Sequence, residues 1–408
     1  AGMSTRHLYR NFTSTSRPIP PSSIGFSGAG FMGCYHVGAA ACLLKHGIID
    51  IDCIAPNHTD KKPIIQQFTG VSAGAIVSAA ITVGVPMDDA MSVALEIARR
   101  TRKKGGLLDA LTPGFSLVDE VEALMIPALQ NAVSGDDELL RRRVNGGVLR
   151  IGYTNVDALK DLFVALRPSS MIQNFNSRAM KKKTTRSGVN NNNRKVELQM
   201  AYGFVDAYRD VEDVVAAAVI SSFIPGVTGP AQVVAERKQK NKNSNAFSVV
   251  NNNLAVSRSM KRMNELVAIS TNAQPRNDDT KLIRMWDGGL VNMWPTIDES
   301  TIVVSPLSGE FDPKDRPHIS PRVRSDVEHQ VDEIVGSSSR PWPWELIKVQ
   351  TPASNACTDV YVSRENVETL RRMMISSTDS ILEQRFQDGY DDARRFLDRN
   401  NLLQVFSG

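Results

Sequence analysis

The stretch Gly70-Val71-Ser72-Ala73-Gly74 constrains this chain more than any other, because it sets one serine between an apolar strand and a helix of very small residues. Ile64 to Thr69 reads as the strand, and Ala73 to Ala80 as the first turns of the helix. A backbone that reverses this sharply calls for glycine on both sides, and it leaves the Ser72 hydroxyl proud of a sheet at a helix N-terminus. This is the pattern of a nucleophile elbow, with Gly70 and Gly74 shaping the turn. An ordinary tight turn uses the same residue types, so the elbow needs support from elsewhere in the chain.

The rest of the sequence predicts an α/β architecture that would suit it. Ile24 to Ser27 reads as a strand followed by a glycine loop and a helix from about Gly33 to His46. Val148 to Tyr153, Glu197 to Ala201, Arg284 to Trp286 and Thr301 to Ser305 read as further strands, and Met87 to Thr101 as a helix with Ala90, Val93, Ala94 and Ile97 on one face. Val211 to Ser222 is an apolar helix stopped by Pro225-Gly226. Two long uncharged runs, 18–44 and 64–87, are broken by glycine, proline and polar residues, so they fit strand-turn-helix units of a buried parallel sheet better than membrane spans. At 408 residues the chain is long enough for one large core with extensions. Leu382, Phe386, Tyr390, Ala393 and Leu397 recur at helical spacing, which predicts a final helix docked by its apolar face.

Charge is distributed unevenly. The formal net charge is +4, yet no acidic residue precedes Asp50, and residues 1–22 read as a disordered basic arm. Segments 176–195 and 236–280 are polar and basic, and read as low-complexity insertions suited to an anionic surface. Their near lack of aromatic residues removes the stacking platform that single-stranded nucleic acid requires, so nucleic acid is not expected as a partner. Pro341-Trp342-Pro343-Trp344 suits either a lipid interface or the core. The four cysteines, Cys34, Cys42, Cys53 and Cys357, form no metal-ligand spacing and no disulfide framework, which predicts a reducing, intracellular setting and no metal.

Gly28-Ala29-Gly30-Phe31-Met32-Gly33 supports two readings. After a strand and before a helix it matches a dinucleotide-binding fingerprint, with Asp50 or Asp52 near the distance of a ribose-binding acid. The same glycines would also leave backbone N–H groups aimed into a cleft, suited to an oxyanion. An elbow at the next strand-helix turn favours the oxyanion.

Ser72 needs a base. His318 and His329 follow Asp287, which allows a Ser-Asp-His triad, although both lie in a proline- and charge-rich stretch with no apolar strand to position them. Asp287 follows the strand Ile283 to Trp286 and precedes Gly288-Gly289, so its carboxylate falls at a strand end with room for close approach.

Taken in order, Ser-Gly-Ala-Gly-Phe-Met-Gly at 27–33, Gly-Val-Ser-Ala-Gly-Ala at 70–75 and Asp-Gly-Gly at 287–289 resemble the three signatures of the patatin-like phospholipase family. Phe223-Ile224-Pro225-Gly226, the strand Val303 to Pro306 with Gly309 to Asp312, and Gly389 to Leu397 further resemble its adipose triglyceride lipase subgroup. The resemblance implies a three-layer α/β/α fold with a mostly parallel central sheet, a catalytic domain over 23–310 and a helical extension over 311–408. It implies a Ser-Asp dyad, with Ser72 as nucleophile, Asp287 as base and then acid, and Gly28, Ala29, Gly30 and Gly33 as the oxyanion hole. No cofactor is implied. The expected substrate is a neutral glycerolipid, above all triacylglycerol, met at a lipid-droplet or membrane surface in the cytoplasm, with a protein activator as a further partner. Met32 stands where many patatins carry a basic residue, in keeping with a neutral-lipid preference. A phospholipase A or transacylase would use the same dyad. A non-catalytic lipid-droplet adaptor and a dinucleotide-binding oxidoreductase are the alternatives from other classes.

Overall fold

The computed structural model describes residues 21–51, 65–105, 115–158, 201–229, 255–270, 283–311, 317–321, 348–350, 358–361 and 363–402. Residues 1–20 of the arm, Asp52, the insertion at 176–195, residues 236–254 and 271–280 of the second insertion, His329 and the Pro341 to Trp344 run lie outside the described residues.

The chain begins with strand β1 (Ser23–Phe26), a 3-10 turn (Gly30–Met32) and helix α1 (Gly33–Lys45), then β2 (Gln67–Gly70) and α2 (Ala73–Val83). Helices α3 (Met87–Gly105), α4 (Leu117–Val133) and α5 (Asp137–Val144) lead to β3 (Leu149–Asn155). There follow β4 (Tyr202–Val205), α6 (Val211–Ser221), α7 (Ala255–Ser270), β5 (Met285–Asp287), a 3-10 turn (Gly288–Leu290) and β6 (Ile302–Val304). The remainder comprises β7 (Gly309–Phe311), β8 (His318–Ile319), β9 (Lys348–Gln350), β10 (Thr358–Tyr361), α8 (Arg364–Met374) and α9 (Asp379–Arg399).

The result is a mixed α/β fold around one mostly parallel sheet, in the order β4-β3-β2-β1-β6-β8. Strands β3, β2, β1, β6 and β8 are parallel, and the inner strands β2, β1 and β6 are buried almost throughout, Ser23 and Thr69 included, as expected of a parallel sheet covered on its faces. Strands β4 and β5 run the other way, and both pair with β3. Since β4 occupies Ile151 to Thr154 along one edge of β3, β5 must take the opposite edge, opposite Tyr153 to Asn155, where β2 has already ended. This antiparallel, end-on placement carries Asp287 to the tip of β2. Strands β7, β10 and β9 form a separate small sheet.

Of the strand expected over Glu197 to Ala201 only Ala201 lies among the described residues, and it directly precedes β4, in which Phe204 is exposed beneath the Arg150 guanidinium. One departure from the sequence reading has a simple cause. Within the polar segment 236–280, residues 255–270 form α7, whose Val256, Met263 and Leu266 are buried in the core and pack the helix on α6. Asparagine is the commonest residue of that segment and its bases outnumber its acids, whereas burial follows the helical period of a few apolar positions.

Helix α9 is built into the fold rather than appended to it. Leu382, Ala393 and Leu397 are buried as their spacing predicts, and α9 lies along α1. The two helices approach through a reciprocal notch: a side chain at Gly38 would overlap the Phe386 carbonyl, and one at Gly389 would overlap the Tyr35 carbonyl. Tyr35 donates from its hydroxyl to Asp392 at 2.7 Å across the same contact. In most helices Gly→Ala is stabilising, but here the added methyl meets backbone that cannot yield. Gly38→Ala should therefore lower stability by about 1–3 kcal/mol in urea unfolding, with the sign opposite to that of an exposed helical glycine.

Candidate active site

Gly70 and Gly74 face one another across the elbow. A methyl at Gly70 would overlap the Gly74 carbonyl, and one at Gly74 would overlap the carbonyls of Phe26 and Ser27, so close approach explains both. Ser72 itself carries the unusual conformation, φ 54° and ψ −131°, which costs a non-glycine residue about 1–3 kcal/mol. Its N–H is anchored twice by Ser221, to the carbonyl at 3.1 Å and to the hydroxyl at 3.0 Å, while the Ser221 hydroxyl donates to Gly152 O at 2.6 Å. Ser72 is thus tied through α6 to β3.

Asp287 is 4 % exposed. Its own N–H donates to Phe223 O at 2.8 Å, its carbonyl accepts from the Thr154 hydroxyl at 2.7 Å, and its Oδ1 accepts from Gly289 N–H at 2.7 Å. Gly288 is required because a side chain there would crowd Gly152 O and Val71. Burial pushes the Asp287 carboxyl up to about 7, against the pull of hydrogen bonds from the Ser72 side chain and the Gly289 amide. The structure therefore brings Ser72 and Asp287 together. His318 lies elsewhere: it pairs with Val303, which pairs with Gly25, which pairs with Thr69, so three inter-strand steps, about 14 Å, separate it from β2. Asp50 precedes β2 instead of ending it, which is not where a dinucleotide fold puts its ribose acid.

The glycine loop lies against the elbow. The Cβ position of Gly28 is within 3.7 Å of Ser72 Cβ and 4.0 Å of Gly289 Cα, and that of Gly33 is 3.2 Å from Ala73 Cβ. Two of its amides are engaged within the protein, Gly28 N–H with Met293 O at 3.1 Å and Gly33 N–H with Gly30 O. Ala29 and Gly30, with φ 51° at Gly30, are left as the N–H groups of the expected quartet that have no protein acceptor among the described residues. Ala73, the residue after Ser72 and the first of α2, presents another amide of that kind at the helix N-terminus.

Three further residues matter that sequence reasoning passed over. Ser221 gave no signal beyond belonging to an apolar helix. His36 is buried against the Phe26 ring, and its Nε2 lies 2.9 Å from Ser27 O. A carbonyl can only accept, so Nε2 carries the proton, and burial lowers the imidazole to about 4, keeping it neutral as a fixed prop under the glycine loop. Ala73 could have been found from the elbow pattern itself.

From Ser72 and Ala73 a cavity of about 1000 Å³, its open mouth included, runs between α1, α2, α3 and α4. Ala90, Val93, Ala94 and Ile97, the apolar face of α3, line it together with Val121 and Leu129, and among the described residues no lining side chain is charged. The Cys34 thiol in its wall is pushed up to about 12 by burial and stays neutral. Among the described residues there is no cluster of metal-ligating side chains, and no helix is long and apolar enough to cross a membrane.

This arrangement matches a known family. The model of the patatin-like phospholipases fits residues 25–299, and the chain belongs to that family. Patatin-like phospholipase domain-containing protein 4 of Homo sapiens is 21% identical over 94% of this chain and 98% of its own length. Patatin-like phospholipase domain-containing protein 2 of Rattus norvegicus is 31% identical over 26% of this chain, and the match spans only 20% of that relative. The human 1-acylglycerol-3-phosphate O-acyltransferase PNPLA3 is 28% identical over 35% of this chain and 28% of its own length. Among solved structures, VipD from Legionella pneumophila aligns over 93% of this chain and 67% of its own, at 11% identity and a TM-score of 0.31.

Two measurements follow from this geometry. Asp287 holds its proton to about pH 7 when folded, whereas an unfolded carboxyl releases it near 4, so burial of Asp287 weighs on stability increasingly as pH rises between those values and levels off above. Denaturant unfolding of the wild type should lose stability relative to Asp287→Asn across that window. Ser221→Ala removes one anchor of the Ser72 amide and should lower kcat on a soluble ester about 10–100-fold with KM little changed.

Proposed function

We propose that this chain is a serine acyl hydrolase that cleaves carboxylic esters of neutral glycerolipids, triacylglycerol above all, at a lipid-water interface. The observation that carries the reading is the conjunction of a strained serine, a buried carboxylate and an uncharged apolar cavity beginning at that serine. Asp287 takes the Ser72 hydroxyl proton as Oγ attacks the ester carbonyl. The resulting oxyanion is held by backbone N–H groups at Ala29, Gly30 and Ala73. The tetrahedral intermediate collapses with loss of the glyceride alkoxide, which takes the proton from Asp287 and departs as alcohol. Water then gives its proton to Asp287, attacks the acyl-enzyme and frees the fatty acid, and the proton returns to Ser72. An Asp near 7 is suited to alternate between base and acid in this way. Since the base acts ionised, kcat/KM should rise with pH through about 7 and then level.

The uncharged lining supports a neutral substrate. A phosphate headgroup entering it would lose hydration with no cation to replace it, whereas acyl methylenes gain about 0.8 kcal/mol each on burial. Acyl transfer is the second reading, since a relative carries the name of an acyltransferase and an alcohol can replace water on the same acyl-enzyme. Such substrates place the protein at lipid-droplet or membrane surfaces.

Ser72→Ala and Asp287→Asn should each abolish hydrolysis of emulsified triacylglycerol and of a soluble ester, falling about 10³-fold or more, with circular dichroism unchanged. Losses of only a few-fold would remove the dyad. Offering triacylglycerol and phosphatidylcholine in one emulsion tests the substrate: a higher specificity constant for phosphatidylcholine would make the enzyme a phospholipase, and acylated acceptor alcohols among the products would make it a transacylase.

A further inference from the structure

Helix α8 (Arg364–Met374) is amphipathic, yet only one edge of its apolar face is buried. Ser363 caps it by accepting from Asn366 N–H at 3.1 Å, and buried Asn366 clasps Ser308 in both directions, accepting from its N–H at 2.9 Å and donating to its carbonyl at 2.8 Å. Only Met373 adds an apolar anchor. Beside that buried edge, on the same half of the helix, Val367, Leu370 and Met374 form one stripe that is 57%, 46% and 41% exposed, while Arg364, Glu368 and Arg371 take the far face. Few elements spend their apolar residues on water while holding to the core by an asparagine.

The position of α8 says what meets the stripe. Its C-terminal turn rests on the glycine loop, where Met373 O leaves no room for a side chain at Gly30, and Gly30 lines the cavity that starts at Ser72. At the other end of that loop Gly28 abuts Gly289, and the next residue, Leu290, is 50% exposed. Apolar surface therefore flanks the loop on both sides and continues inward along an apolar wall. A protein covering both flanks would close the opening, whereas a lipid surface would supply it.

We infer that α8, with Leu290 opposite, seats this site on a lipid surface, Val367, Leu370 and Met374 entering the acyl region so that Ser72 faces the lipid; the inference rests on the acyl-hydrolase reading. The charges set the kind of surface. Glu368 is gripped by Arg371 at 2.8 Å and Arg372 at 2.6 Å, and with Arg364 and Glu365 the helix is close to electrical balance. Attachment is thus apolar, requires no anionic lipid and withstands salt.

Sedimentation with phosphatidylcholine vesicles tests this in the full chain carrying Ser72→Ala, so that turnover cannot alter the vesicles. Adding Val367→Ser, Leu370→Ser and Met374→Ser should lower partitioning at least about tenfold, at low and high salt alike. The same three changes with Ser72 intact should leave hydrolysis of a soluble short-chain ester within about twofold, since none touches the reacting atoms. Undiminished vesicle binding would overturn the inference, as would a wild type that ignores vesicles and forms a dimer that the substitutions dissociate, for then a second copy covers the stripe. Should the triple variant not fold, Leu370→Trp gives an independent reading: its added emission should shift to the blue on mixing with vesicles, and an unshifted spectrum would overturn the inference. If the wild type hydrolyses no ester yet binds vesicles through α8, the acyl-hydrolase reading fails and the surface role stands.

Discussion

The hydrogen bonds from the Ser72 amide to Ser221 hold together everything that happens at this site. A serine with φ 54° and ψ −131° would relax if left alone, and relaxation would swing its hydroxyl away from Asp287. Ser221 prevents this by binding the amide with both its oxygens while its own hydroxyl is spent on Gly152. The glycines at 70, 74 and 288 serve the same end by letting backbones meet where no Cβ fits. The strain is local, and the whole sheet supplies its restraint.

Electrostatics at the site depend on subtraction. Among the described residues no cation stands beside Asp287 to stabilise its charge; burial and two hydrogen bonds act on it, and burial dominates. A carboxyl so placed takes up a proton readily near neutrality, which a solvated aspartate does not. The apolar cavity beside it extends the same dry environment towards the substrate. His36, neutral and pointed at Ser27 O, works as a spacer and brings no charge into this region.

Much of this was legible in the residues, and the boundary of legibility is physical. The elbow could be read because its requirements are local: a strand, a reversal and a helix within a few residues. The cavity face of α3 was visible as Ala90, Val93, Ala94 and Ile97, since helical period alone produces it. The meeting of Asp287 with Ser72 was legible only through resemblance, because it depends on β5 entering the sheet antiparallel beyond the end of β2, a matter of register that no window of sequence contains. Ser221 was illegible for the same reason: its partners, Ser72 and Gly152, belong to other elements. Helix α7 was hidden by composition, as a few buried apolar residues sit in a segment rich in asparagine and basic residues.

The notch between α1 and α9 bears on how the molecule comes into being. Helix α1 is made long before the surface it fits, Phe386 and Gly389, which belongs to the other end of the described fold. Contacts so remote in sequence close slowly, since a very long loop must be ordered before any of its cost is recovered. Until then α1 keeps an apolar flank and an open groove, which is the kind of surface that chaperones hold and that aggregation exploits. Only when α9 has been made can that flank of α1 be covered.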